Sequence, residues 1–452
     1  MASEQTVTPE KKRPINRLKT MYPLRAKVNE GYLAGAEAVK AGKPTAWSMY
    51  NFFLADIPMK AMDIEVLYPE NYGAVVAALG PCREYLDIAE AESFPSHTCG
   101  YSRVTIGYTK RMMRDLGGEI PAEAPLGGMP KPLFLLARSM GCDVGVKWFQ
   151  SLGRYMDVPV WCLEYPSPGV KESLRGDGIE RAFQLQVEHT REFVAFLERL
   201  LDKKMDWDKF AKLTDTTIEI MRIWHEINEL RKTKPCPMHS RDFWSVFPAL
   251  GMLLGDINDT LKKVQDMYQE VKERVANHVS GLNIEEKYRL MFIELPPWHS
   301  LRFFDTLAER SWNFVVETYG YHPPPPIDLS AYHDPVERLV RFGLQVTLGL
   351  YGSCSRENIS NFYIYPYLSF ARDWKCDGVW VHPLRTCRSA SLNLPSAATL
   401  LLERLKVPSL TIEGDIVDLT LFDPEDALRK AEPFEETMDH YRKLRKEEGF
   451  DW

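Results

Sequence analysis

Three cysteines in this chain stand where a thiol could do chemistry: Cys99 in HTCGYS, Cys142 in SMGCDV and Cys387 in RTCRSA. Each sits in a loop leading towards a helix, with Gly or Ser close by, a setting that Cys82, Cys162, Cys236, Cys354 and Cys376 lack. Open α/β sheets bind ligands in the crevice beyond the carboxyl ends of their strands, and the start of a helix favours a thiolate. Three such thiolates meeting across a cleft would hold an iron–sulfur cluster and leave the fourth iron open, much as catalytic zinc keeps a position for substrate. Zinc is the second metal that suits the set, and unrelated buried thiols are the alternative, since no CxxC run is present.

The elements around these cysteines follow one pattern twice. In 131–166, KPLFLLARSMGCDVGVKWFQSLGRYMDVPVWCLEYP, an apolar strand is followed by the Cys142 loop, an amphipathic helix and a second strand at VPVWCLEY. In 377–413 a strand leads through the Cys387 loop to a helix, and Val407-Pro408 opens the next strand. Two βαβ units with a cysteine at the same topological point predict two related α/β halves. Further strands are expected at YRLMFI and NFVVETY, and one helix is expected over 71–91 and another from about Thr105 to Leu116.

Between the halves the period changes. Phe210, Leu213, Thr217, Ile220, Trp224 and Ile227 recur at three- and four-residue spacing behind Asp206, a candidate N-cap, which predicts helices with a buried stripe. The expected division is an N-terminal arm and helix (1–42, with the first 20 residues loose), an α/β domain (43–204), a helical insert (205–280) and a second α/β domain with a C-terminal helix (281–452).

Composition excludes several classes. The 452 residues are 45% hydrophobic and 12% aromatic, which predicts a soluble globular protein with ample core. A formal net charge of −7 offers no basic field to nucleic acid. No stretch has the apolar length of a signal core or a membrane span, so the expectation is a cytoplasmic protein whose cysteines are thiols or ligands. The segment Gly42-Lys43-Pro44-Thr45 is no phosphate loop, because Glu37 replaces the first required glycine and Pro44 the Ser/Thr. The tetraproline of YHPPPPIDL reads as a stiff linker.

The order SHTCGYSR, then SMGCD and VPVWCLEYP, then WHEINELRKTKPCP and DGVWVHPLRTCR resembles the 2-hydroxyacyl-CoA dehydratase and benzoyl-CoA reductase family, over roughly residues 40–415. Within it the part with AVKAGKPTAWSM looks most like the B subunit of ATP-dependent benzoyl-CoA reductase. The resemblance implies two flavodoxin-like (Rossmann-type) parallel-sheet domains with a helical region between them and a [4Fe-4S] cluster on Cys99, Cys142 and Cys387. It also implies a related cluster-bearing partner subunit and a separate ATP-hydrolysing iron–sulfur activator, consistent with the missing phosphate loop. The activity it puts first is single-electron reduction of an aromatic acyl-CoA ring to a cyclic diene-carbonyl thioester. The alternatives are a (R)-2-hydroxyacyl-CoA dehydratase acting through a ketyl radical, and an electron-transfer or scaffold subunit.

Other positions are weighed against ordinary structural duty. His97 is a candidate proton donor or hydrogen-bond partner of the cluster, with a structural histidine as the competing reading. Ser48 lies in a segment that the resemblance places near substrate, and a plain strand serine competes with that. Glu164 and Tyr165 end the strand after Cys142, and either cap a turn or face the cleft. Cys376 and Cys162 are expected in the core, Cys82 in a helix and Cys236 between prolines, while the GSCSREN loop leaves Cys354 unassigned.

Overall fold

The computed structural model describes residues 13–50, 53–139, 142–164, 177–318, 323, 325–344 and 365–452. Cys354, Tyr165 and, in the tetraproline segment, Tyr321, His322 and Pro324 lie outside the described residues.

Two four-stranded sheets, every pairing parallel, organise the chain. The first part runs α1 (Met21–Lys40), β1 (Thr45–Ser48), α2 (Phe53–Ala61), β2 (Glu65–Leu67), α3 (Pro69–Leu79), α4 (Cys82–Ala91), α5 (Gly100–Lys110), β3 (Phe134–Arg138), α6 (Gly145–Met156), β4 (Val160–Leu163) and α7 (Asp177–Leu201). Helices α8 (Trp207–Arg231), α9 (Ser240–Gly251) and α10 (Ile257–Ala276) follow. The last part runs β5 (Tyr288–Ile293), α11 (Phe303–Ala308), β6 (Trp312–Glu317), α12 (Tyr365–Asp373), β7 (Gly378–Val381), α13 (Arg388–Ser391), α14 (Leu394–Leu405), β8 (Ser409–Thr411), α15 (Pro424–Ala431) and α16 (Phe434–Glu447).

The sheet orders are β2-β1-β3-β4 and β6-β5-β7-β8, the same 2-1-3-4 winding used twice, which is flavodoxin-like. Every residue of β1, β5, β6 and β7 is buried, as expected of strands covered on both faces, so these segments read as apolar runs. Helix α6 turns Trp148, Phe149, Leu152 and Met156 inward at helical spacing. Asp206 caps α8 by accepting from the Lys209 amide at 2.9 Å. One apolar core runs from Trp47 and Leu135 through Trp224 and Phe243 to Phe292 and Phe314.

Several local expectations change. The helix before the first βαβ unit begins at Gly100, directly after Cys99, and ends in a π-helical turn at Arg111–Asp115. The pattern over 71–91 is two helices, because Gly80-Pro81 interrupts the hydrogen-bond ladder. Pro58 lies inside α2, and the short strand β2 carried no signal that sequence reading detected. Residues 13–20 are tied down: Ile15 bridges Leu282, Arg17 pairs with the buried Asp242, and Arg274 donates to the carbonyls of Asn16 and Arg17. Cys162 lies on edge strand β4 and is exposed, correcting its assignment to the core.

Candidate functional site between the two sheets

In each 2-1-3-4 sheet the winding reverses beside its first strand, so the crevice for a ligand opens beyond β1/β3 and beyond β5/β7. Ser48 ends β1, and Cys142 follows β3 by four residues. Glu294 follows β5, and Cys387 lies beyond the end of β7. The two crevices meet: the Gly100 amide donates to Thr386 Oγ1 at 3.1 Å, and Arg388 Nη2 lies 3.0 Å from Asp143 Oδ2. Trp298 Nε1 donates to the Tyr101 hydroxyl at 2.5 Å, and Cys82 Sγ donates to the Val417 carbonyl at 3.2 Å. Cys99 is the N-cap residue of α5, and Cys387 that of α13.

Cys142 and Cys387 lie near enough to Cys99 to influence it. Burial pushes the Cys99 thiol well above its ordinary value, and Cys142 and Cys387 push it further. Burial lifts Cys142 to about 12, with Glu70 and Cys387 adding to the rise, and burial also raises Cys387. Opposing this, the backbone N–H groups of Ser102, Val144 and Ala390, each two or three residues beyond its cysteine, favour the thiolates. The sequence argument that a helix start would leave Cys142 as a thiolate is therefore corrected, because desolvation outweighs the local dipole. Such thiols hold their protons until a cation displaces them. Among the described residues, no group of three or more His, Cys, Asp or Glu is disposed to enclose a single metal ion. The ligands of a multi-iron cluster bind different irons and need not reach a common ion. Three soft sulfur donors brought together from both sheets fit such a group.

The sequence pattern of the 2-hydroxyglutaryl-CoA dehydratase D-component family matches residues 59–438. The chain belongs to that family. It is 25% identical to the alpha subunit of (R)-2-hydroxyisocaproyl-CoA dehydratase from Clostridioides difficile, over 93% of this chain and 96% of that one. It is 24% identical to the alpha subunit of (R)-phenyllactyl-CoA dehydratase from Clostridium sporogenes, over 90% and 93% of the two chains. The alpha subunit of (R)-2-hydroxyglutaryl-CoA dehydratase from Acidaminococcus fermentans is 20% identical, over 88% and 94%. These relatives are dehydratase subunits, so within the 2-hydroxyglutaryl-CoA dehydratase D-component family the dehydratase alternative gains on ring reduction.

Two carboxyl groups that sequence reading passed over influence these thiols. Glu70, the second residue of α3, raises the pKa of Cys99, Cys142 and Cys387 alike. Glu294 adopts a positive φ of 80°, a strained conformation for a side-chain-bearing residue and one that clusters at functional sites. The Glu294 residue keeps some surface open while its carboxyl group is enclosed, and burial raises its pKa from 4.5 to about 7. Tyr367 hydroxyl lies 3.0 Å from Glu294 Oε1.

That shift sets a pH dependence. The native state keeps the Glu294 proton that the unfolded chain releases, so stability is lost as pH rises from the unfolded value of 4.5 through about 7. Glu294→Gln removes this cost. In urea titrations of the metal-free protein the variant is expected to gain at most about 3 kcal/mol over the parent at pH 8, shrinking below about 1 kcal/mol at pH 5. Equal stability differences at both pH values would discard the enclosed carboxylic acid.

The other sequence candidates sit less centrally. Ser48 is fully buried at the end of β1 and donates to the Tyr50 carbonyl at 3.1 Å. His97 lies in an exposed turn two residues before Cys99. Glu164 is exposed, and Cys236 and Cys376 are core residues. Arg138, at the end of β3, stacks its guanidinium 4.9 Å over the Tyr50 ring beside Ser48, a cation at the crevice that no motif announced. A cavity of about 630 Å³ lies elsewhere, lined by Lys43, Lys60, Asp63, Lys209 and Lys212 at the opposite end of the first sheet, and contains none of the cysteines.

Proposed function

We propose that the chain is a subunit of a (R)-2-hydroxyacyl-CoA dehydratase in which Cys99, Cys142 and Cys387 hold a [4Fe-4S] cluster at the cleft between the sheets. The observation that carries this is the contact between the three cysteine loops of two domains, Gly100 to Thr386 and Asp143 to Arg388, with Cys142 and Cys387 both raising the pKa of Cys99. When bound, such a cluster would supply an iron open to substrate and a centre for single-electron transfer at low potential. The chain's own residues do the rest of the work. The loops bearing Cys99, Cys142 and Cys387 release their thiol protons as the group is taken up. Glu70, whose charge raises the pKa of all three thiols, is placed to accept a proton from an acyl-CoA substrate, and Glu294 holds a proton on its carboxyl near neutral pH. Arg138 offers a fixed positive charge where β1 and β3 open. Net loss of water from a 2-hydroxyacyl thioester needs such groups, one to take the proton from carbon and one to protonate the departing hydroxyl. A second, related subunit and a separate ATP-hydrolysing activator complete the proposed system, as the alpha-subunit relatives suggest.

The AVKAGKPTAWSM stretch, which forms the end of α1 and all of β1, keeps aromatic acyl-CoA reduction as the second reading. The test is an anaerobic assay of the complex with its reduced, ATP-supplied activator. Formation of a 2-enoyl-CoA from a 2-hydroxyacyl-CoA is the expected result. Loss of the benzoyl-CoA chromophore with no dehydration would replace the dehydratase with the reductase, and turnover that survives complete removal of iron would sink both.

A further inference from the structure

We propose that the Thr386 hydroxyl is a positioning group that fixes the separation of the Cys99 and Cys387 loops by capping helix α5 from the other domain. This rests on the reading that those cysteines hold a common group, but the contacts stand independently of it. Gly100 is the residue after Cys99 and the first of α5, so its N–H has no partner within the helix. Cys99, the N-cap residue, makes no side-chain cap hydrogen bond there. The missing acceptor comes from across the cleft: Gly100 N–H donates to Thr386 Oγ1 at 3.1 Å, and Thr386 immediately precedes Cys387.

The direction of this relay is set by Asp415. Its Oδ2 accepts the Thr386 hydroxyl proton at 2.5 Å, while Oδ1 accepts the amides of Val417 and Asp418 at 3.1 and 3.0 Å. Asp415 is fully buried and Thr386 nearly so, which leaves no water to replace either bond. The hydroxyl therefore points its proton at Asp415 and a lone pair at Gly100. The approach also requires glycine: a Cβ on residue 100 would lie 2.3 Å from Val417 Cγ2 and 3.1 Å from Asp415 Oδ1. By contrast, the link between the Cys387 and Cys142 loops, Arg388 to Asp143, is an exposed ion pair that contributes little. The Cys99 and Cys387 loops are thus joined by one staple, a buried hydrogen bond.

The experiment compares the full-length parent with Thr386→Val, which keeps the shape and loses the hydroxyl, and Thr386→Ser, which restores it. Hydrogen exchange is followed on metal-free, anaerobically prepared protein over the peptide containing Gly100–Arg103. The parent's Gly100 amide is expected to be protected despite its helix-start position. Thr386→Val is expected to accelerate its exchange by about tenfold, the factor equivalent to one buried hydrogen bond, with Thr386→Ser near the parent. After reconstitution with iron and sulfide, Thr386→Val is expected to alter the paramagnetic resonance spectrum of the reduced cluster, with Thr386→Ser matching the parent. A freely exchanging Gly100 amide in the parent overturns the staple even if Thr386→Val does not fold, as does unchanged exchange in Thr386→Val. A parent that takes up no iron and sulfide overturns the cluster reading and leaves the exchange result to decide the staple.

Discussion

Replacing Cys99, Cys142 or Cys387 singly with serine is expected to abolish activity of the assembled enzyme and to strip iron from this subunit, whereas serine at Cys82, Cys162, Cys236 or Cys376 leaves both near parental levels. The contrast follows from environment. Cys236 and Cys376 are shut in the core, Cys162 faces solvent on an edge strand, and Cys82 donates its S–H to the Val417 carbonyl. Cys142 and Cys387 follow the strands β3 and β7, Cys99 is the N-cap residue of helix α5, and the charge of Glu70 raises the pKa of each of these three. Loss of a residue that merely orients a metal ligand costs about 10–100-fold, so loss of a ligand itself should exceed the upper figure. Iron and acid-labile sulfide per subunit, measured beside turnover, check the claim. Retention of full iron in all three serine variants would remove the cluster from this chain and assign it to a partner subunit. Because burial raises these thiols, iron uptake should release protons and weaken as pH falls.

How far the sequence spoke depended on the kind of signal. The strand-loop-helix units around Cys142 and Cys387 were legible because β3 and β7 are covered on both faces and so written as apolar runs, followed by a helix with a clear stripe. The stripe of α8 was equally plain, though Leu213 proved only half-buried. Strand β2 was not legible, since three residues cannot display a period. Glu70, Glu294 and Thr386 escaped for a different reason: each is a single polar residue whose meaning comes from what tertiary folding encloses it with. The Glu294 shift depends on burial, and Thr386 matters through Gly100, which is 286 residues away in the chain. His97 shows the converse. Two residues from Cys99 in sequence, it lies in an exposed turn while Cys99 itself is buried.

Arg231→Ala and Glu317→Ala are each expected to destabilise the protein by about 3–5 kcal/mol, the cost of leaving one buried charge without its partner. Arg231 ends α8 and Glu317 ends β6, and both side chains are fully buried. The guanidinium meets the carboxylate through two bonds, Nη1 to Oε1 at 2.8 Å and Nη2 to Oε2 at 2.7 Å. Asn228 Oδ1 accepts a further bond at 3.0 Å, and the Phe243 ring lies 6.0 Å from the guanidinium carbon. The pair clasps the helical region to the edge strand of the second sheet, two strands from the β7 end that leads to Cys387. A double replacement, Arg231→Met with Glu317→Leu, removes both charges and is expected to recover most of the loss, because the attraction between buried charges chiefly offsets their own desolvation. Urea unfolding of the metal-free protein gives the magnitudes, and hydrogen exchange across 207–231 and 312–317 shows whether the loss is local or global, as a chain of several domains need not unfold in one step. Single variants that cost less than about 1 kcal/mol, the range of an exposed pair, would mean that water reaches this clasp. A double variant no better than the singles would instead give the pair a role in specifying how the helices dock on the sheet.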